Sequence, residues 1–261
     1  MVSTDGGHLT SLKVVKIGGN ELDRPGWVAE CARALADAAP VVVVHGGGEA
    51  VSAWSRRLGL PVEKRDGRRV TTRQVAEVVE MVLAGPVNRQ VVGALRQAGV
   101  DAVGLSGVDG GLLTAEPLLA ELGHVGRITT VRASLLECLL RAGLTPVVAP
   151  MAPPAGGGLP LNVNADDAAA AIAGALRATE LLQISDVAGV RVDESAQPAI
   201  ATSEIESLVE QGVVTGGMVV KLRAAAAALA AGAGAARIGG LDLLADPAAG
   251  TRILRALPQL A

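Results

Sequence analysis

The sequence predicts an α/β protein in which strands and helices alternate around a parallel sheet. Three observations carry that reading. Short aliphatic runs of strand length alternate with longer amphipathic stretches, the pattern of βα units. Several runs end in glycine-rich turns, and half of the 261 residues are hydrophobic, with 33 glycines, two Trp and neither Phe nor Tyr. A core of this composition packs through aliphatic side chains and close backbone approach. The length suits two lobes, and the apolar content excludes a disordered chain.

The first run, Lys13-Val-Val-Lys-Ile17, ends in Gly18-Gly19. A glycine pair there lets the backbone turn tightly beside a ligand, and Lys16 can offer a cation at the carboxyl end of the sheet, although a solvated edge lysine suits the same pattern equally well. A helix is expected over 27–36. The second run, Val41-Val-Val-Val-His45, continues as Gly46-Gly-Gly48 into a helix over 50–58. Three glycines at a helix N-terminus leave N–H groups free for an anion, but match neither G-x-x-x-x-G-K-[ST] nor G-x-G-x-x-G, while His45 reads as a packed strand end rather than a base.

Asp66-Gly-Arg-Arg-Val-Thr-Thr72 precedes helices over 72–84 and 87–97, with Thr71 or Thr72 as cap, Arg68 and Arg69 as a fork for a carboxylate or as solvated charge, and a break at Pro86. A strand over 102–106, a helix over 134–142 and a strand over 146–149 follow. Pro153, Pro154 and Gly156 to Gly158 form a loop before Asn162-Val-Asn-Ala-Asp166, whose polar side chains read as capping for an alanine-rich helix over 165–176 or as substrate contacts. A lobe boundary falls near Arg177, dividing 1–177 from 178–261. Beyond it come a strand over 181–185, the turn Ser185-Asp-Val-Ala-Gly189, the motif Thr215-Gly-Gly-Met218 opening a helix over 217–231 that carries Lys221, and a strand over 235–238.

Composition also sets exclusions. Without flat side chains for bases to stack on, and with a net charge of −3, the chain is a poor partner for nucleic acid or an anionic membrane surface. The uncharged runs 146–161 and 224–236 are broken by Pro and Gly or dominated by Ala and Gly, so neither spans a bilayer. Asp5, Gly6, Gly7 and His8 stand where a secretory signal needs an apolar stretch, which makes the cytoplasm the expected compartment. Cys31 and Cys138 form no ligand spacing with His8, His45 or His124, so no protein-held metal is expected and both thiols read as reduced.

Order and spacing together are specific. From Lys13 to Leu254 the chain resembles the amino acid kinase family through Lys16-Ile-Gly-Gly19, His45-Gly-Gly-Gly48, Gly67-Arg-Arg-Val-Thr71, Glu77-Val-Val-Glu-Met-Val-Leu83 with Val87-Asn88, Glu121-Leu-Gly-His-Val-Gly126, Asn162-Val-Asn-Ala-Asp166, Ser185-Asp-Val-Ala-Gly189, Thr215-Gly-Gly-Met218 with Lys221, and Gly250-Thr-Arg-Ile253. The likeness is strongest to the branch that phosphorylates N-acetyl-L-glutamate. It implies an open, mainly parallel sheet sandwiched between helices, an N-terminal lobe for the acyl amino acid and dimerisation, and a C-terminal lobe for ATP.

By the same resemblance Lys16 and Lys221 stabilise the transition state and Asp166 orients both. Gly47, Gly48, Arg69 and Asn162 bind the amino acid, while Gly18, Gly19, Asp186, Gly216, Gly217 and Met218 lie against the nucleotide. A carboxylate acceptor is already ionised at neutral pH, so no general base is required. Magnesium is expected with the ATP, held mainly by phosphates and water. Thr72 and Val108 depart from the family, which often carries an acid and a lysine there. Val75, Val79 and Val82 suit a face that mates two subunits. Because fifteen residues precede Lys16 and Gly6-Gly7 disfavours a helix, the expectation is a homodimer insensitive to arginine rather than a hexamer.

Other acceptors of the same chemistry are a carrier-bound aminoadipate and a succinylated glutamate. A nicotinamide oxidoreductase lacks its glycine fingerprint here, and a silent nucleotide-binding regulator does not need two lysines and Asp166.

Overall fold

The structure, a computed structural model, describes residues 4–5, 8–9, 11–38, 40–65, 67–192 and 195–255. Gly6, Gly7 and Asp66, used above, lie outside the described residues.

The strands of the two larger sheets are β1 (Lys13–Ile17), β2 (Val41–His45), β3 (Ala102–Ser106), β4 (Leu113–Pro117), β5 (Val125–Val131), β6 (Thr145–Ala149), β7 (Met151–Ala152), β8 (Leu161–Val163), β9 (Glu180–Ile184), β10 (Ala199–Ala201), β11 (Ala235–Gly239) and β12 (Thr251–Leu254). The helices are α1 (Gly19–Leu22), α2 (Trp27–Ala36), α3 (Gly48–Arg57), α4 (Arg73–Val82), α5 (Asn88–Gln97), α6 (Ala133–Arg141), α7 (Ala165–Ala175), α8 (Ile205–Glu210) and α9 (Gly216–Ala230). All six predicted strands and all seven predicted helices form, with ends shifted by at most two residues.

Eight strands make the main sheet in the order β10-β12-β11-β9-β1-β2-β6-β3. Every pair is parallel except β11 with β12. Because β9 is hydrogen-bonded to β1, residues on both sides of position 177 share one sheet. A second sheet, ordered β7-β8-β5-β4, was not foreseen as strands.

Alternation along buried strands sends neighbours to opposite faces. Val14, Val42 and Val44 join α6, α7 and α9 in one core, and Val15, Ile17, Val41 and Val43 join α2, α4 and α5 in the other. The result is helices on both sides of a sheet, as expected for buried parallel strands. Small residues make the layers thin: a Cβ on Gly174 of α7 would stand 2.4 Å from that of Ala231, just beyond α9.

Thr72 caps α4, its hydroxyl accepting from the Val75 N–H at 3.3 Å. The helix does break at Pro86, through a widened turn over Leu83–Val87 in which Gly85 is non-helical (φ −94°, ψ −110°). The subunit face needs correction. Val75, Val79 and Val82 are buried in this chain's own core because they face its sheet, and α4 exposes Arg73, Gln74, Glu77 and Met81 instead. Among the described residues no helix is long and apolar enough to cross a membrane.

Candidate active site

β1 is where progress along the sheet reverses, with β2 on one side and β9 on the other. Ligands of open α/β sheets sit outside the strand carboxyl ends at such a point. The three ends are in register, Ile17 lying opposite both His45 and Ile184, so Gly18-Gly19, Gly46 to Gly48 and Ser185-Asp186 converge on one crevice. The first two turns nearly touch: a Cβ on Gly19 would lie 2.6 Å from the Gly47 nitrogen, so only glycine fits. A cleft of about 400 Å³ opens above them. Every site residue named from the sequence lines it except Gly216, which stands one position behind Gly217 at the start of α9.

At its floor Asp166 joins two lysines from distant parts of the chain. Its Oδ1 lies 3.0 Å from the Lys16 ammonium and 3.2 Å from that of Lys221. Asn164 caps α7 by accepting the Asp166 N–H at 2.8 Å, which sets that side chain in the first turn. Burial favours the neutral carboxyl, but the two lysines outweigh it and hold Asp166 below the usual carboxylate range. Lys16 feels a similar contest: burial lowers its pKa, Asp166 with Lys221 and the Glu21 charge more than restores it, and it ends above the ordinary lysine value. Lys221 is pushed down to about 8 by burial and by the neighbouring Lys16 charge, against the pull of Asp166.

The amino acid side of the cleft is built around Arg69. Its Nη2 donates to the Gly48 carbonyl and to Ser52 Oγ, both at 2.7 Å, while Nη1 is buried without a partner among the described residues. An unsatisfied guanidinium N–H on a residue that lines a cleft is a donor held ready for an anion. Arg68 does not share in that fork, because it pairs with Asp167 at 2.7 Å. Asn162 lies on strand β8 rather than in the first helical turn, with its Nδ2 donating to Thr71 Oγ1 at 3.1 Å.

Beneath the glycine turn, burial lowers the His45 pKa to about 4, so the ring is neutral. Its Nδ1 donates to the Gly46 carbonyl at 2.8 Å and its Nε2 accepts from Asn88 at 3.1 Å. Arg89 donates to the Asn88 carbonyl oxygen at 2.5 Å, which fixes that amide's orientation. The ring therefore anchors the turn, in line with a packed strand end. Gln183, buried in β9, ties α9 to the sheet by donating to the Lys221 carbonyl at 3.0 Å.

Residues 11–240 match the amino acid kinase family. The chain belongs to that family. An acetylglutamate kinase of Chloroflexus aurantiacus is 46% identical over 248 residues, 94% of this chain and 97% of the relative. One from Geobacillus kaustophilus is 48% identical over 220 residues, covering 83% and 84%. Among solved structures, smu.665 from Streptococcus mutans superposes with a TM-score of 0.81 at 28% identity, over 94% of this chain and 99% of that one. The amino acid kinase architecture thus accounts for the open, mainly parallel sheet with helices on both faces.

Sequence reasoning gave no role at this cleft to Ser52, Asn88, Gln183 or Glu21, although Val87-Asn88 is among the motifs of the family likeness. The first three are ordinary polar residues inside helices and a strand, with no local signal. Glu21 stands two residues beyond the first glycine pair, and its sequence gives no reason for the side chain to fold back over Gly18.

Proposed function

We propose that this chain transfers the γ-phosphoryl group of ATP to the side-chain carboxylate of N-acetyl-L-glutamate, giving N-acetylglutamyl 5-phosphate. The observation that carries the reading is the pair of ammonium groups on one buried carboxylate at the sheet's reversal point. The activity named for the relatives at 46% and 48% identity supports it.

The acceptor is ionised at neutral pH, so the protein's task is to align it and to stabilise charge on the transferring group. In this reading the unpaired Nη1 of Arg69 takes the α-carboxylate, Asn162 holds the acylated portion, and Gly47 and Gly48 present N–H groups to the acceptor and the phosphoryl group. Lys16 and Lys221 neutralise charge as it spreads over the phosphoryl oxygens, with Asp166 keeping both in position. Gly18, Gly19, Asp186, Gly216, Gly217 and Met218 attend the nucleotide. Neither Trp27 nor Trp54 lines the cleft, so aliphatic side chains and backbone groups must hold the adenine.

Among the described residues no three His, Cys, Asp or Glu side chains are grouped to cage a metal. The donor set suits magnesium that arrives with the nucleotide, coordinated chiefly by phosphates and water. When bound it neutralises phosphate charge. The assignment of 1–177 to the amino acid and dimerisation, of 178–261 to ATP, and a cytoplasmic homodimer insensitive to arginine belong to the same reading.

The test is ATP-dependent phosphorylation of N-acetyl-L-glutamate, trapped as the hydroxamate. Turnover confined to N-succinylglutamate or to a carrier-bound aminoadipate overturns the acceptor assignment. Light scattering and an arginine titration test the assembly, where a hexamer or inhibition by arginine counts against it.

A further inference from the structure

Among the charged residues lining the cleft that the scheme above does not use, Glu21 is the acidic one. Glu21 is only 4% exposed, and its Oε2 has no hydrogen-bond partner among the described residues. It lies on the cleft wall with Lys16, Gly18 and Gly19. The fit is tight: Oε2 sits 1.9 Å from where a Gly18 Cβ would be, so the first glycine of the pair makes room for this carboxylate.

A buried carboxylate oxygen without a hydrogen bond is unfavourable unless nearby positive charge compensates it fully. Of the three lysines lining the cleft, Lys16 and Lys221 are ion-paired with Asp166, and Lys16 is shared, because the Glu21 carboxylate also favours its charged form. A polyphosphate entering beside Glu21 would add repulsion. The combination of one unpaired carboxylate and phosphate oxygens is the donor set that magnesium takes, with waters completing its octahedron.

We propose that Glu21 is a metal-facing residue: with nucleotide bound, its carboxylate contacts the magnesium ion directly or through one coordinated water. The inference rests on the nucleotide reading of this cleft. It gives the glycine pair a second purpose, since Gly18 then serves the metal's carboxylate as well as the phosphate.

The test uses the full chain, manganese as the probe and AMP-PNP as the nucleotide, with free Mn2+ followed by electron paramagnetic resonance. Glu21→Gln is expected to weaken Mn2+ retention in the AMP-PNP complex about 10-fold or more, the loss typical when a group supporting a metal is removed. Glu21→Leu fills the same space without charge and should do the same. Without ligands, both variants should keep the wild-type circular dichroism spectrum. Adding Mn2+ and AMP-PNP should raise the wild-type melting midpoint more than theirs.

Equal Mn2+ affinity in wild type and both variants, with AMP-PNP still bound, overturns the role of Glu21 alone. So does loss of the native circular dichroism spectrum in both ligand-free variants, which marks the carboxylate as a structural element. Failure of the wild type itself to bind AMP-PNP overturns the nucleotide reading, and this inference with it.

Discussion

Lys221 offers the most direct handle on the chemistry. Its pKa is about 8, whereas Lys16 is held above the ordinary lysine value and Asp166 below the ordinary carboxylate value. Within the triad of the ligand-free protein, Lys221 is therefore the group whose charge changes near that pH. The sign follows from the role: the ammonium binds phosphate, so kcat/KM for MgATP holds its plateau below about pH 8 and declines above it. One unit past the pKa roughly a tenth of the lysines keep the proton, so kcat/KM at about pH 9 is expected near one tenth of the plateau. Bound polyphosphate favours the charged form and raises the pKa, so kcat should stay level over the same range. Initial rates across this range in a constant-ionic-strength buffer, at fixed free magnesium, measure both profiles. Lys221→Arg should abolish the basic limb, because a guanidinium stays charged, and should turn over more slowly because its fork does not reproduce a compact ammonium. A wild-type kcat/KM that is level to about pH 10, or a limb that survives in Lys221→Arg, refutes the assignment.

Lys221→Ala should lower kcat by roughly 10² or more with the fold intact by circular dichroism, since one transition-state donor is lost; near-normal turnover identifies the wrong cation. Arg69→Ala should act chiefly on KM for N-acetyl-L-glutamate, and an effect confined to ATP reverses the two sides of the cleft. His45 makes the fold acid-sensitive: its pKa falls from 6.5 in the unfolded chain to about 4 when buried. The unfolded state therefore takes the proton first, and stability present above about pH 6.5 is lost progressively towards pH 4, by about 3 kcal/mol in all. Urea midpoints at neutral and acid pH should register that loss in wild type and a smaller one in His45→Asn.

The legible parts of this fold are those in which local pattern and tertiary role coincide. Val41 to Val44 are fully buried on both faces, and an unbroken aliphatic run announces that. The hairpin of β4 and β5 announces little, because Thr114, Glu116, Arg127, Thr129 and Thr130 leave much of it polar and only partly buried. In Asn162-Val-Asn-Ala-Asp166 two signals overlap: Leu161 and Val163 are buried with Asn162 between them, which is strand alternation, while Asn164 begins the helix. Reading the whole as a helix start hid the strand. The Lys16, Asp166 and Lys221 cluster was legible only through the family likeness, because no local periodicity links positions so far apart in sequence. The pair of buried Arg237 and half-buried Glu180, 2.5 Å apart across β11 and β9, was equally silent.

The excess of glycine and alanine and the absence of Phe and Tyr have a common physical basis in how closely backbones must approach. The turn after β1 can lie on the turn after β2 only because Gly19 has no Cβ, and that contact aligns Lys16 with the glycine cradle. α7 and α9 approach closely because Gly174 faces Ala231, and those helices carry Asp166 and Lys221. A larger side chain at either contact would separate layers that must lie within reach of a single carboxylate. Two ammonium groups can then share one carboxylate oxygen at 3.0 and 3.2 Å without an aromatic wall to exclude water, because thin layers bury them instead. The composition that first spoke against base stacking is also the one that lets a sheet reversal gather two cations over one acid.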